Sequence, residues 1–154
     1  RNFFIVNPEN VSMPGMGGLV EMLGAIPIPC DLAGMKHFVQ SVEDKIRKNY
    51  SVTIYPEAHI WPYYIGIRPF RPVSFQYPVK LNCPVYALTN TYHRRKGRAG
   101  KVNIVTYIDG PFYPDESLRP KERQQKLRDR VYLCMEERSR ESDYEVIRYR
   151  KAEK

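Results

Sequence analysis

Residues 25–55 constrain the fold most, because one amphipathic helix lies there between two short apolar runs. Asp31 stands where a side-chain oxygen can cap free backbone amides. Leu32, Met35, Val39, Val42 and Ile46 then recur at spacings of 3, 4, 3 and 4, which places them on one stripe of a helix. Lys36, Gln40, Glu43 and Lys48 lie largely off that stripe. On either side, residues 25–28 form a brief apolar strand stopped by Pro29, and residues 51–55 a second one stopped by Pro56. Strand, helix and strand in that order imply a crossover connection and parallel pairing.

The alternation extends along the chain. Residues 2–7 read as a buried strand ended by Pro8, and Gly15, Gly17 and Gly18 lead into a short helix through Leu19, Val20, Met22 and Leu23, closed by Gly24. Residues 84–92 form a strand with Val85, Ala87 and Leu88 as its apolar members, and residues 102–108 form another. Asp109-Gly110-Pro111 is expected to turn the chain toward a final helix starting at Arg119 or Pro120, with Leu127, Val131, Cys134 and Met135 as its buried stripe. The expected fold is α/β, a largely parallel sheet flanked by helices. At 154 residues the chain has room for one domain with a core, and hardly two. Residues 142–154 are polar enough to be expected as a disordered tail.

Charge and cysteine usage narrow the function classes. The net charge of +8 favours an anionic partner: nucleic acid, acidic lipid or a phosphorylated substrate. Cys30, Cys83 and Cys134 are odd in number and form no Cys-x-x-Cys pair, so neither a disulfide framework nor a zinc knuckle is expected. The most apolar stretch, residues 13–35, is broken by Pro14, Glu21, Pro27, Pro29 and Asp31, and falls short of a membrane span.

Three segments could carry chemistry. Residues 51–59 end a strand in Tyr55-Pro56-Glu57-Ala58-His59, which delivers a carboxylate to the carboxyl edge of a sheet, where open α/β folds bind ligands. Glu57 and His59 share a face in extended geometry, which suits acid–base work, metal binding or recognition of hydroxyl and phosphate groups; a plain surface turn is the competing reading. Residues 60–71 interleave Trp61, Tyr63, Tyr64 and Phe70 with Arg68 and Arg71. That mixture suits a membrane interface, single-stranded nucleic acid, or rings packed on their own domain. The loop from Arg94 to Lys101 carries five positive charges and no acid, and is most simply a solvated hairpin tip.

The order of three blocks resembles the glycerolipid acyltransferase family, typified by 1-acylglycerol-3-phosphate acyltransferase, in a divergent bacterial-type form. Gly24-Ala25-Ile26-Pro27-Ile28-Pro29-Cys30 sits where that family has Gly-x-Ile-x-Ile-x-Arg. Tyr55-Pro56-Glu57-Ala58-His59-Ile60 sits where it has Phe-Pro-Glu-Gly-Thr-Arg. Cys83-Pro84-Val85-Tyr86-Ala87-Leu88 matches its Pro-Val strand. The resemblance implies a glycerol-3-phosphate acyltransferase-like fold. It also implies transfer of a fatty acyl group to the hydroxyl of a lysophospholipid or glycerol-phosphate-type acceptor, as in phospholipid biosynthesis. The donor would be acyl-carrier protein, coenzyme A or acyl phosphate, with no cofactor and no metal.

Within that resemblance, Glu57, His59, Tyr55, Pro56, Arg68 and Arg71 are the expected acceptor-binding residues, and Gly24, Ile26, Ile28, Pro84 and Val85 hold the motif positions. The family's catalytic His-x-x-x-x-Asp pair is not in this sequence: Val42, Tyr64 and Arg98 stand five places after His37, His59 and His93. The resemblance places that pair before Arg1, so the sequence is expected to be a fragment cut at its N-terminus and inactive alone. Cys30 and Ile60 replace the two family arginines, so an acceptor pocket rebuilt around Glu57 and His59 is expected. The implied location is peripheral, on the cytoplasmic face of an anionic membrane. The alternative class is a non-catalytic basic module that binds nucleic acid or anionic lipid.

Overall fold

A computed structural model describes residues 1–7, 22–95, 97 and 101–150. The chain is mixed α/β and divides into two compact units, Arg1–Pro56 and Glu57–Lys154.

Among the described residues the first unit is a three-stranded parallel sheet and one helix. Its central strand is β1 (Asn2–Val6), flanked by β2 (Ala25–Pro27) and β3 (Ser51–Thr53). Phe4 pairs with Ala25 on one side, and Phe3 with Val52 on the other. Gly24 enters β2 with φ 102°, and a Cβ there would lie 2.8 Å from the Asn2 carbonyl oxygen, so only glycine fits. The short helix expected through Leu19 falls mostly outside the described residues.

Helix α1 (Leu32–Arg47) makes the β2-to-β3 crossover. Asp31 caps it as the sequence suggests, accepting the Gly34 N–H at 2.5 Å. The C-terminus closes where Asn49 turns left-handed at φ 59°, a role Asn shares with Gly. The helix buries Phe38 and Val42, whereas Leu32, first in the expected stripe, is 92% exposed. Sixteen residues of helix run about 24 Å, and strands of three to five residues cover at most about 17 Å. The helix is therefore longer than the strands it packs on, and part of its apolar stripe stays exposed.

The second unit opens with an irregular segment, then a 3₁₀ turn (Pro72–Phe75), α2 (Gln76–Leu81), β4 (Val85–Arg94), β5 (Val102–Phe112) and α3 (Pro120–Ser139). Its core joins Phe70, Phe75, Ala87, Leu127, Val131 and Met135, with Ile67, Val79, Val85, Phe112 and Tyr132 packed around it. Helix α3 starts at Pro120 and buries Leu127, Val131 and Met135, as its periodicity suggests, while Cys134, expected in the same stripe, is only partly buried.

The hairpin corrects the expectation of a largely parallel sheet. Strands β4 and β5 pair antiparallel, with Leu88 opposite Ile108 and Thr91 opposite Val105. Their connection, residues 95–101, is too short for a parallel crossover, which takes a dozen residues or more. Asp109-Gly110-Pro111, expected as a turn, lies inside β5 at an irregularity in the pairing. Gly110 adopts φ 132°, and a Cβ there would meet the Val85 carbonyl at 2.9 Å. Asp109 turns to helix α3, taking a two-pronged bond from Arg138 at 2.6 and 3.1 Å.

The inward face of β4 is Ala87, Thr89 and Thr91, while Leu88 is half exposed. Thr91 donates its hydroxyl hydrogen bond to the Val105 carbonyl at 3.2 Å, whereas the buried Thr89 hydroxyl has no partner among the described residues. Replacing an unpaired buried hydroxyl by a methyl of similar size removes a desolvation cost. Thr89→Val is accordingly expected to raise unfolding stability by about 1 kcal/mol, read as a higher urea midpoint at constant m.

Three carboxyls of this unit sit below the ordinary carboxylate range. Asp109 is held there by the Arg138 hydrogen bond, Asp115 by those of Lys126 and Ser117, and Asp143 by those of His93 and the Arg94 N–H. Each is lower folded than unfolded, so its stabilisation is complete above the unfolded carboxyl pKa of about 4 and is lost as pH falls through the folded value. Urea midpoints are expected to hold steady from neutral pH down to mild acid and then drop, with a shallower drop in Asp109→Asn.

Candidate functional site

The Pro-Glu segment straddles the division of the chain, Tyr55 and Pro56 ending the first unit and Glu57 beginning the second. In the first unit, β2 and β3 run parallel on either side of β1. The residues that follow them, Ile28-Pro29-Cys30 and Ile54-Tyr55-Pro56, therefore leave the sheet from the same carboxyl edge. Ile28 continues the pairing with its N–H donated to the Val6 carbonyl at 3.0 Å. Ile26 is buried, Ile28 is partly exposed and Tyr55 is 65% exposed.

In the second unit, residues 57–71 fold onto themselves around Glu57 and Arg68. The Arg68 backbone N–H donates to Glu57 Oε2 at 2.8 Å, closing a loop between residues eleven apart. The Arg68 guanidinium donates from Nη1 to the His59 carbonyl at 3.1 Å and lies 4.6 Å from the centre of the Trp61 ring. The His59 N–H donates to the Glu57 carbonyl at 2.8 Å, across a tight turn whose middle residue, Ala58, has φ 64°. A left-handed Ala is uncommon, since that region costs a residue bearing Cβ about 1–2 kcal/mol.

The rings of the segment pack on their own unit. Trp61 stacks on Tyr149 at 4.9 Å, Tyr64 meets both edge-on, and Tyr63 meets Tyr92 edge-on at 5.8 Å. The Tyr149 hydroxyl donates to the Pro62 carbonyl at 2.9 Å. Burial pushes the Tyr92 phenol up, and the nearby Glu57 carboxylate adds to the effect, so this hydroxyl stays protonated at neutral pH. Outside this packing, Ile60 is 91% exposed, beside a Trp61 that is 44% exposed.

The loop thus ties Glu57 to Arg68 and reaches His59 only at its backbone, and the turn at Ala58 replaces the extended geometry that would have put the Glu57 and His59 side chains on one face. Arg71 stands exposed at the start of the 3₁₀ turn. Pro84 is exposed ahead of β4, and Val85 begins that strand against the core. Residues 142–150, where the sequence suggested a polar tail, contribute Tyr149 to the aromatic cluster and run beside β4. Ser142 Oγ accepts the Tyr92 N–H at 3.2 Å, and the Asp143 and Tyr144 N–H groups both donate to the Tyr92 carbonyl at 3.1 Å. Asp143 also takes the Arg94 N–H at 3.1 Å and sits 3.2 Å from His93 Nδ1, whose ring reaches the buried Thr91 hydroxyl at 2.8 Å through Nε2. Thr91 is fully buried, so this chain of polar groups ties the C-terminal segment to the sheet and offers no nucleophile to a substrate.

Among the described residues no group of three or more His, Cys, Asp or Glu could hold a metal ion, and no helix is long and apolar enough to cross a membrane. Compared with known proteins, the chain matches no family model, no curated protein and no solved structure.

Proposed function

We propose that the chain is part of a glycerolipid-type acyltransferase, which moves a fatty acyl group from an acyl donor to the hydroxyl of a lysophospholipid or glycerol-phosphate-type acceptor. The observation that carries this reading is the shared edge of the first unit's sheet. The Ile28-Pro29-Cys30 end of the Gly24 block and Ile54-Tyr55-Pro56 leave parallel strands at the edge where open α/β sheets place ligands. A second observation agrees: Ala58, at the motif position that holds Gly in the resembling family, adopts the left-handed backbone that Gly supplies most easily.

In this reading a His oriented by an Asp, both outside these 154 residues, takes the proton from the acceptor hydroxyl as that oxygen attacks the acyl carbonyl. Glu57 fixes the acceptor end. One of its oxygens organises the loop through the Arg68 N–H, and its charge serves the acceptor hydroxyls or the approaching imidazole. In this reading Arg68, Arg71 or His59 takes over the acceptor-phosphate contact of the two family arginines, which Cys30 and Ile60 replace here. Exposed Ile60 and Trp61 beside cationic Arg68 suit a peripheral seat on an anionic membrane. The gene region upstream of Arg1 tests the reading first: a His-x-x-x-x-Asp pair ahead of the Gly24 block is expected there. A gene that lacks the pair would leave the basic-module alternative.

A further inference from the structure

We propose that the open edge of β5 is a dimer interface, on which a second copy of this chain adds its own β5 antiparallel about a two-fold axis through Val105. The two edges of the hairpin are treated differently. The outer edge of β4 is covered, since the Tyr92 N–H and carbonyl both bond to residues 142–144 and the Arg94 N–H bonds to Asp143. Tyr92 therefore points its backbone groups away from β5, and its opposite number Ile104 must point its own away from β4. By alternation the N–H and carbonyl groups of Val102, Ile104, Thr106 and Ile108 all face the far edge of β5. Among the described residues no strand pairs with that edge.

The composition of the edge fits an interface. Residues 102–108 hold no charge, no Pro and no Gly, and four of the seven are Val or Ile. Strands that must stay unpaired usually carry a blunting charge, a Pro or a bulge within the edge, and this one has none until Asp109 and the irregularity at Gly110. The outward face is apolar as well: Leu88 and Tyr86 are each 52% exposed, Ile104 51% and Ile108 69%.

A second copy is the occupant because the edge complements itself. Antiparallel pairing of identical strands closes as a two-fold dimer, with the same patch on both partners. The regular stretch of β5 is bounded by the hairpin tip at Lys101 and the irregularity after Asp109. Only a register centred on Val105 pairs that stretch end to end. The same register sets Lys101 of each copy opposite Asp109 of the other, and aligns the outward-facing residues 104 and 106 as hydrogen-bonded partners.

Sedimentation velocity on the full 154-residue chain, from low to high micromolar, tests the proposal. The expected result is a concentration-dependent monomer–dimer equilibrium. The double substitution Ile104→Lys, Ile108→Lys changes two exposed side chains, and is expected to leave a folded monomer with unchanged far-ultraviolet circular dichroism. A wild-type chain that stays monomeric throughout would overturn the proposal, as would a dimer that survives the double substitution. A monomer that co-pellets with anionic phosphatidylglycerol vesicles through Ile104 and Ile108 would overturn it too, by assigning the face to lipid.

Discussion

Leu127→Ala is expected to lower the unfolding free energy of the second unit by about 3 kcal/mol, within the 2–5 kcal/mol range of such truncations. Leu127 is 1% exposed, and it lies in one cluster with Phe70, Phe75, Ala87, Val131 and Met135. Its loss removes buried apolar surface and leaves a cavity. The same cluster holds paired rings. Phe70 and Phe75 stack nearly parallel at 6.2 Å, and Tyr132 meets Phe70 edge-on at 5.4 Å. At about 3 kcal/mol the folded-to-unfolded ratio falls roughly 150-fold, since each 1.4 kcal/mol is tenfold. Leu133→Ala, on the 55%-exposed side of the same helix, is the control, with an expected change within about 0.5 kcal/mol. Chemical denaturation followed by circular dichroism reads both; equal effects at the two positions would refute the assignment of the core.

The second large effect concerns Glu57 in the whole protein. Glu57→Ala is expected to cut acyl transfer by well over tenfold, because a hydrogen bond to a charged group is worth about 1.5–3 kcal/mol and the Arg68 N–H loses its acceptor at the same time. Glu57→Gln separates the two roles. The amide oxygen still accepts from the Arg68 N–H, so the loop is kept, while the charge is gone. If the charge serves the acceptor, Gln loses nearly as much activity as Ala with the fold intact. If Glu57 only ties the loop, Gln restores wild-type rates, and the proposed acceptor role fails.

Regular periodicity is what made parts of this fold legible in the sequence. Asp31 and the spacing of Val39, Val42 and Ile46 located α1, and Pro120 with Leu127, Val131 and Met135 located α3, although in α1 only Val42 of the expected stripe is buried, beside Phe38, which lay off it. The hairpin was obscured by its own chemistry. Thr89 and Thr91 occupy the buried face of β4 while Leu88 faces out, so the hydrophobic alternation points to the wrong side. The short connection 95–101 was the better guide to direction. The apolar stripe of α1 also said nothing of how little of it a small sheet would cover, which is why Leu32 is exposed.

The candidate site was legible only by its residue types. Glu57, His59 and Arg68 could be named together, but the bond from the Arg68 N–H to Glu57 joins residues eleven apart in a stretch with no repeat. Tyr149 reaches Pro62 across 87 residues, from a segment whose polarity suggested no order at all. An aromatic residue every few positions in residues 142–150 (Tyr144 and Tyr149) was the available signal. Basic neighbours diluted it.

The most direct test is acyl transfer by the product of the whole gene. It would be assayed with labelled acyl-coenzyme A, acyl-carrier protein and acyl phosphate against lysophosphatidate and other lysophospholipids. The account predicts transfer with at least one donor, abolished when the His of an upstream His-x-x-x-x-Asp pair is replaced by Ala, and no turnover by residues 1–154 alone. Absence of transfer with every donor and acceptor, or full activity in the His variant, would contradict it.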